Sequence, residues 1–245
     1  MNNIIPKYRV GFDRFIELEW AKFALEIASL PDSNEEKIRA LKARLSTLIS
    51  GEESVRKTAN VLTRLWVEPN SAVKPLAKKA IILSPDLLND EQVVLHYGIA
   101  LALFPLFRDT CIQVGRLIQL QGLFHRQEVR QRVMEHYSNQ GTIPRSVDRI
   151  LQTLNNWGIT AKGDKTKYYV NRKVIKKQSL QLWLLEAAVY SAPEHRILLN
   201  DIFRLPDLFP FDFNGESRNA LTLSSGLRIE RDGTNHEYIV SSLEQ

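Results

Sequence analysis

The sequence predicts a mainly α-helical protein, and three observations carry that expectation. Apolar residues recur at helical spacing through most of the first 121 positions. Residues that open and close helices fall between those runs. Strand signals gather in two short hairpins, near 159–170 and 226–240. At 245 residues, 44% apolar and 25% charged, the chain has the length of one or two modules and a globular composition, which excludes wholesale disorder.

The helices of the first half follow in order. Phe12, Phe15, Ile16, Leu18, Phe23, Ala24 and Ile27 lie near helical spacing up to Leu30-Pro31. Ser33-Asn34-Glu35-Glu36 has the form of a capping box, in which the serine oxygen accepts a backbone N–H and Glu36 reaches back to another. It opens a helix with Ile38, Leu41, Leu45, Leu48 and Ile49 inward, closing at Gly51. Val55, Ala59, Leu62, Leu65 and Trp66 make the next, stopped by Glu68-Pro69-Asn70. A shorter helix is expected within 72–83, interrupted by Pro75, and 91–104 and 107–121 give two long apolar segments. Residues 1–104 are therefore expected to form a helical bundle.

Charge separates the next part from its flanks. Residues 122–180 hold 12 Lys+Arg against 4 Asp+Glu, net +8, whereas 1–121 are net +2 and 181–245 net −5. Such an excess in one segment points to a polyanionic partner, nucleic acid before an anionic membrane. Residues 128–134 make a short basic helix with Val129, Val133 and Met134 inward. Residues 138–143 are polar and glycine-bearing, as a turn requires. Pro144 suits a first helical position, and a helix to Trp157 follows, with Val147, Ile150, Leu151 and Leu154 on one side and Gly158 at its end. Ile159-Thr160-Ala161, a turn at Lys162-Gly163-Asp164-Lys165, and Tyr168-Tyr169-Val170 read as a β-hairpin.

Helix, helix, glycine-containing turn, helix and hairpin is the order of a winged helix. The run from Gly141-Thr142-Ile143-Pro144 to Leu154-Asn155-Asn156-Trp157-Gly158-Ile159 resembles the recognition helix of winged helix-turn-helix proteins. There a threonine or serine opens the helix, the inner face is Val/Ile/Leu, and a Leu-x-x-Trp-Gly-Ile ending leads into the wing. The resemblance spans about 107 to 171. It implies a winged helix at 105–178 that binds double-stranded DNA through a recognition helix at 144–157 and a basic wing at 159–171. The helical half before it resembles the small helical component A of BREX phage-defence systems, without a diagnostic motif.

A helix fits the major groove, where its exposed face meets base edges and phosphates. With Val147, Ile150, Leu151 and Leu154 inside, the outward positions at helical spacing are Arg145, Ser146, Arg149, Gln152, Thr153 and Asn156, with Asp148 at the margin. Arg binds guanine in two-pronged fashion and Asn or Gln does so with adenine. The same residues also suit an ordinary solvated helix face. Lys162, Lys165 and Lys167 ring the hairpin, followed by Arg172 and Lys173, and Arg130 lies on the preceding basic helix. Lysines there neutralise phosphate without reading sequence, and they also protect a strand edge. Tyr168 and Tyr169 alternate, so one packs inward and one faces out.

A weaker copy of the pattern follows in 179–245, a small α+β module. Residues 183–190 look helical, 197–203 look like another helix, and 226–231, Asp232-Gly233 and 234–240 form a hairpin signal. This module reads as a degenerate second winged helix. Its net charge of −5 argues against DNA as its main partner and for protein partnering or self-association.

Enzyme motifs are not found: no Walker-type loop, His-Glu-x-x-His or Gly-x-Ser-x-Gly. His96, His125, His136, His195 and His236 lack metal-ligand spacing and Cys111 is a single cysteine, so no metal or cofactor is expected. Asp32, Glu35, Glu36 and Lys37 outline a carboxylate–lysine cluster, but they fall at a helix start, where acidic residues favour the dipole. The longest apolar stretch, 97–107, is far short of a membrane span, the first residues lack a signal-peptide run, and one cysteine suits a reducing compartment. The expectation is a cytoplasmic, non-enzymatic DNA-binding protein, either a transcription regulator or a subunit of a larger nucleic-acid or phage-defence system. The alternatives are a protein-interaction adaptor that does not touch DNA, with the helical half or the acidic module as its contact surface, and a binder of RNA or single strands.

Overall fold

A computed structural model describes residues 11–137, 141–213, 221, 226–233 and 235–242. The chain is mainly helical with small sheets. Its helices are α1 (Leu18–Ser29), α2 (Asn34–Ser46), α3 (Glu52–Leu62), α4 (Lys74–Leu83), α5 (Gln92–Leu103), α6 (Pro105–Gln121), α7 (Arg126–Met134), α8 (Ile143–Asn156) and α9 (Gln178–Ser191). The capping box is present as expected: Ser33 Oγ accepts the Glu36 N–H, and the Glu36 carboxylate accepts the Ser33 N–H at 2.9 Å. That bonding holds the Glu36 carboxyl below its ordinary pKa. Trp66 lies buried in α3's extension, a π-helical turn over Thr63–Val67.

Several boundaries differ from expectation, each for a local reason. Residues 11–17 are not helical, and α1 begins at Leu18. Phe12 and Ile16 are nevertheless buried, because this segment is packed against the core as a non-helical strap. Gly51 does not close α2, which ends at Ser46; with φ 86° it stands at the N-cap of α3. Leu48, expected inside, is 57% exposed because α2 has already ended. Pro75 does not interrupt α4 but lies in its first turn, where the missing N–H has no intrahelical acceptor to lose.

One connected core runs from Phe12 to Ile239. α9 is buried on nearly every side and packs on α5 and α4, so the third part of the chain is built into the first. Its Trp183 indole donates to the Leu76 carbonyl at 3.0 Å, and Glu186 pairs with Lys79 at 2.7 Å. α5 and α6 meet at Phe104 and Pro105 in a 114° bend, and among the described residues no single helix is long and apolar enough to cross a membrane.

Two three-stranded antiparallel sheets share one strand order. β1 (Phe124–His125), β2 (Thr160–Lys162) and β3 (Lys167–Val170) are arranged β1-β3-β2. A two-stranded parallel sheet joins β4 (Lys173–Ile175) to β6 (Phe211–Phe213). In the C-terminal part, β5 (Arg196–Leu198), β7 (Leu227–Arg231) and β8 (Glu237–Ser241) are arranged β5-β8-β7. The helix expected at 197–203 is therefore a strand, a turn and a 3-10 turn over Ile202–Arg204. Short apolar runs such as Ile197-Leu198-Leu199 fit either periodicity, and pairing with β8 decides the matter. Residues 138–140 of the expected glycine-bearing turn and Thr234 of the C-terminal one lie outside the described residues.

A second 3-10 turn, Pro206–Leu208, is pressed against α6. A Cβ on Gly115 would lie 1.8 Å from the Pro206 carbonyl oxygen, so glycine is what lets the two backbones meet. Across this contact Arg108 Nε donates to Asp207 Oδ2 at 2.8 Å, and the Tyr97 hydroxyl donates to the Asp207 carbonyl at 2.6 Å. Burial pushes the Asp207 carboxyl above its usual pKa, against the pull of Arg108.

Candidate nucleic-acid interface

The basic segment assembles around α8. Ile143, Val147, Ile150, Leu151 and Leu154 are buried, in agreement with the apolar spacing, and α6 and α7 pack against this face. Each such side chain contributes about 1.5–3 kcal/mol by leaving water, which fixes the rotation of the helix and hence what it presents outward. Thr142 occupies the N-cap without a side-chain bond, and Pro144 lies in the first turn. Gly158, at φ 67°, turns the chain into β2. Asn155 Nδ2 donates to the Thr160 carbonyl at 2.9 Å and ties the helix to the hairpin, a contact the sequence did not announce.

Two of the six residues expected on the outer face are inside. Ser146 is 2% exposed and donates to the Thr142 carbonyl at 3.1 Å. Thr153 is fully buried, and its Oγ1 accepts the Ile16 N–H at 3.0 Å. Ser146, Ile150, Thr153 and Trp157 form a second buried stripe beside the apolar one. Trp157, at the end of that stripe, was the available signal, since a tryptophan four residues on drags its neighbour inward.

The remaining four do face outward. Arg145 is exposed and has no carboxylate partner among the described residues. Arg149 is half-buried and its Nη1 donates to Gln152 Oε1 at 2.9 Å, which holds the two side chains as one unit. Asn156 is exposed, but its Oδ1 accepts the Leu18 N–H at 2.8 Å, so it serves the strap before α1. Asp148, at the margin, takes Arg130 Nη1 at 3.2 Å, and Arg130 is thereby committed to a carboxylate.

The hairpin supplies the rest of the positive charge. Lys162, Lys165 and Lys167 are exposed and have no carboxylate partner among the described residues; Asp164 is the acidic residue of the turn. Lys165 adopts φ 53°, in the left-handed region a tight turn uses. His125 Nδ1 lies 3.0 Å from Thr166 Oγ1, which braces β1 against the turn. His136 Nδ1 donates to the Arg132 carbonyl at 3.0 Å. Arg172 and Lys173 sit elsewhere: Arg172 pairs with Asp212 at 2.8 Å, and Lys173 begins β4 of the parallel sheet. On α8 and the hairpin, the exposed cations without a carboxylate partner among the described residues are thus Arg145, Lys162, Lys165 and Lys167, with the Arg149–Gln152 unit on the same helix.

Among the described residues no three His, Cys, Asp or Glu side chains are grouped as a metal site. Compared with family models, with curated proteins and with solved structures, the chain gives no significant match.

Proposed function

We propose that the chain is a non-enzymatic double-stranded DNA-binding protein with a central winged helix, α8 lying in the major groove and the β2–β3 hairpin acting as the wing. The observation that carries this reading is a group of exposed cations on α8 and the hairpin that have no carboxylate partner among the described residues. Arg145, Lys162, Lys165 and Lys167 belong to one helix and the hairpin it leads into, while Arg130 and Arg172 nearby are neutralised. The order α6, β1, α7, α8, β2, β3 with strands arranged β1-β3-β2 supports it, being the connectivity of a winged helix. Lysines on the hairpin neutralise phosphates, and Arg149 with Gln152 offers paired donors and an acceptor to base edges.

The repeated strand order β5-β8-β7 after α9 supports a degenerate second winged unit. Among the described residues of this unit, short 3-10 turns over Ile202–Arg204 and Pro206–Leu208 follow β5, and its net charge of −5 does not suit a DNA groove. Its place is in association with protein or with another copy, and the helical half serves as scaffold. Such a chain would work as a transcription regulator or as the DNA-binding subunit of a larger nucleic-acid or phage-defence system. The adaptor alternative draws on a cleft of about 370 Å3 lined by Phe203, Phe209, Phe211 and Phe213 together with Arg172, Arg204 and Asp212, a mixed surface suited to a protein side chain.

The test is a pair of substitutions on a selected duplex. Arg149→Ala should cost about 1–3 kcal/mol and relax sequence preference if the side chain reads a base. Lys165→Ala should weaken every duplex alike. Equal losses from both changes on all sequences would remove base readout from the account.

A further inference from the structure

Phosphate contact accounts for the lysines of the hairpin but not for one of its tyrosines. Tyr168 and Tyr169 point to opposite faces of β3. Tyr168 is buried, stacked on Phe124 at 5.4 Å, with the Arg126 guanidinium 4.7 Å from its ring. Tyr169 is turned away from that packing and is 42% exposed. Its hydroxyl has no hydrogen-bond partner among the described residues.

The exposed ring is nonetheless held in place. A Cβ on Gly163 would stand 2.3 Å from Tyr169 Cε2 and 2.9 Å from Cδ2, so the ring rests against the glycine backbone across the hairpin. Lys162, Lys165 and Lys167 surround the same turn. A partly exposed aromatic ring held against the backbone, in a cationic setting, is an arrangement by which proteins stack on bases while neutralising the adjoining backbone. Bases inside a duplex are already stacked on one another; an unpaired base beside a duplex is not.

We propose that Tyr169 is a stacking platform for an unpaired base, so that the preferred substrate is DNA in which a duplex adjoins a single strand. α8 holds the duplex and the hairpin takes the first unpaired nucleotide. The assignment rests on the duplex-binding function proposed above and narrows it. Gly158 and the Asn155–Thr160 bond keep hairpin and helix in fixed relation, which lets both contacts form at once.

The test uses the full chain and fluorescence anisotropy with a blunt duplex, the same duplex carrying a short 5′ or 3′ tail, the same tail made of abasic residues, and the free single strand. The wild type should bind one of the tailed duplexes about tenfold more tightly than the blunt or abasic-tailed one. Tyr169→Phe should keep that preference, since the ring suffices, and Tyr169→Ala should abolish it while leaving blunt-duplex binding unchanged. A 2-aminopurine at the first unpaired position should be quenched by the wild type and not by Tyr169→Ala. Equal affinity for blunt and tailed duplexes, an abasic tail as good as a natural one, or a preference that survives Tyr169→Ala overturns the proposal. So does binding of the free single strand as tight as that of the tailed duplex. Intact blunt-duplex binding with no tail preference removes Tyr169 alone; loss of all duplex binding removes the underlying function as well.

Discussion

Trp157 donates its indole N–H to the carbonyl oxygen of Ile16 at 3.0 Å, across 141 positions of sequence. One turn earlier on α8, Thr153 Oγ1 accepts the N–H of the same Ile16 at 3.0 Å. Both main-chain groups of a buried residue outside any helix or sheet are thus satisfied by α8. Asn156 adds a third bond to Leu18. The strap at 11–17 and the helix are joined along the side of α8 that its apolar stripe leaves uncovered.

Thr153→Val keeps the shape of the side chain and removes the acceptor. The Ile16 N–H is then buried without a partner, at a cost of about 1–3 kcal/mol, read from urea unfolding. Duplex affinity of the folded variant should equal that of the wild type, because Thr153 points inward. A loss of affinity in a fully folded sample would return Thr153 to the interface.

Gly115→Ala places a methyl where the Pro206 carbonyl already lies. Backbone on both sides leaves no flexible side chain to move, so α6 and the 3-10 turn must separate. A destabilisation of about 3 kcal/mol is expected, lowering Tm by about 6–12 °C for a chain of this size. Gly141→Ala, where a new Cβ would meet nothing within 4 Å among the described residues, is the control and should melt near the wild type.

His96 makes stability depend on acidity. It is fully buried between Trp66, 5.4 Å away centroid to centroid, and Trp157 at 6.0 Å, and neither ring nitrogen has a hydrogen-bond partner among the described residues. Burial, with a smaller contribution from the charge of Lys22, lowers its pKa from 6.5 to about 3. The folded chain therefore holds a neutral imidazole while the unfolded chain protonates its own. The stabilisation is complete above the unfolded value and is lost as pH falls toward the folded one. Between pH 7 and 5 this amounts to about 2 kcal/mol. Urea unfolding of wild type and His96→Phe at the two pH values measures it, and an unchanged pH dependence in the variant would exclude His96 as its source.

Much of the region around α8 was legible in the sequence because its signals are local. Val147, Ile150, Leu151 and Leu154 set the rotation of the helix, Gly158 its end, and Tyr168-Tyr169 the alternation of the hairpin. What escaped depends on distant partners. Ser146 and Thr153 are small polar residues that suit solvent as well as core, and the strap that covers Thr153 comes from more than a hundred residues away. Arg130 and Arg172 carry the same charge in sequence as Arg145, yet Asp148 and Asp212 remove them from the open set. Net charge by segment cannot show which cations are already paired. The fold of 197–203 was misread because three apolar residues define no period.

The most direct measurement is fluorescence anisotropy of the full chain with a labelled duplex at about 50 and about 200 mM salt. Release of counterions from several phosphates predicts a loss of orders of magnitude in affinity across that range, with binding abolished by the Arg145→Ala/Arg149→Ala double change. No duplex binding at the lower salt, or binding indifferent both to salt and to the double change, would contradict a DNA interface on α8.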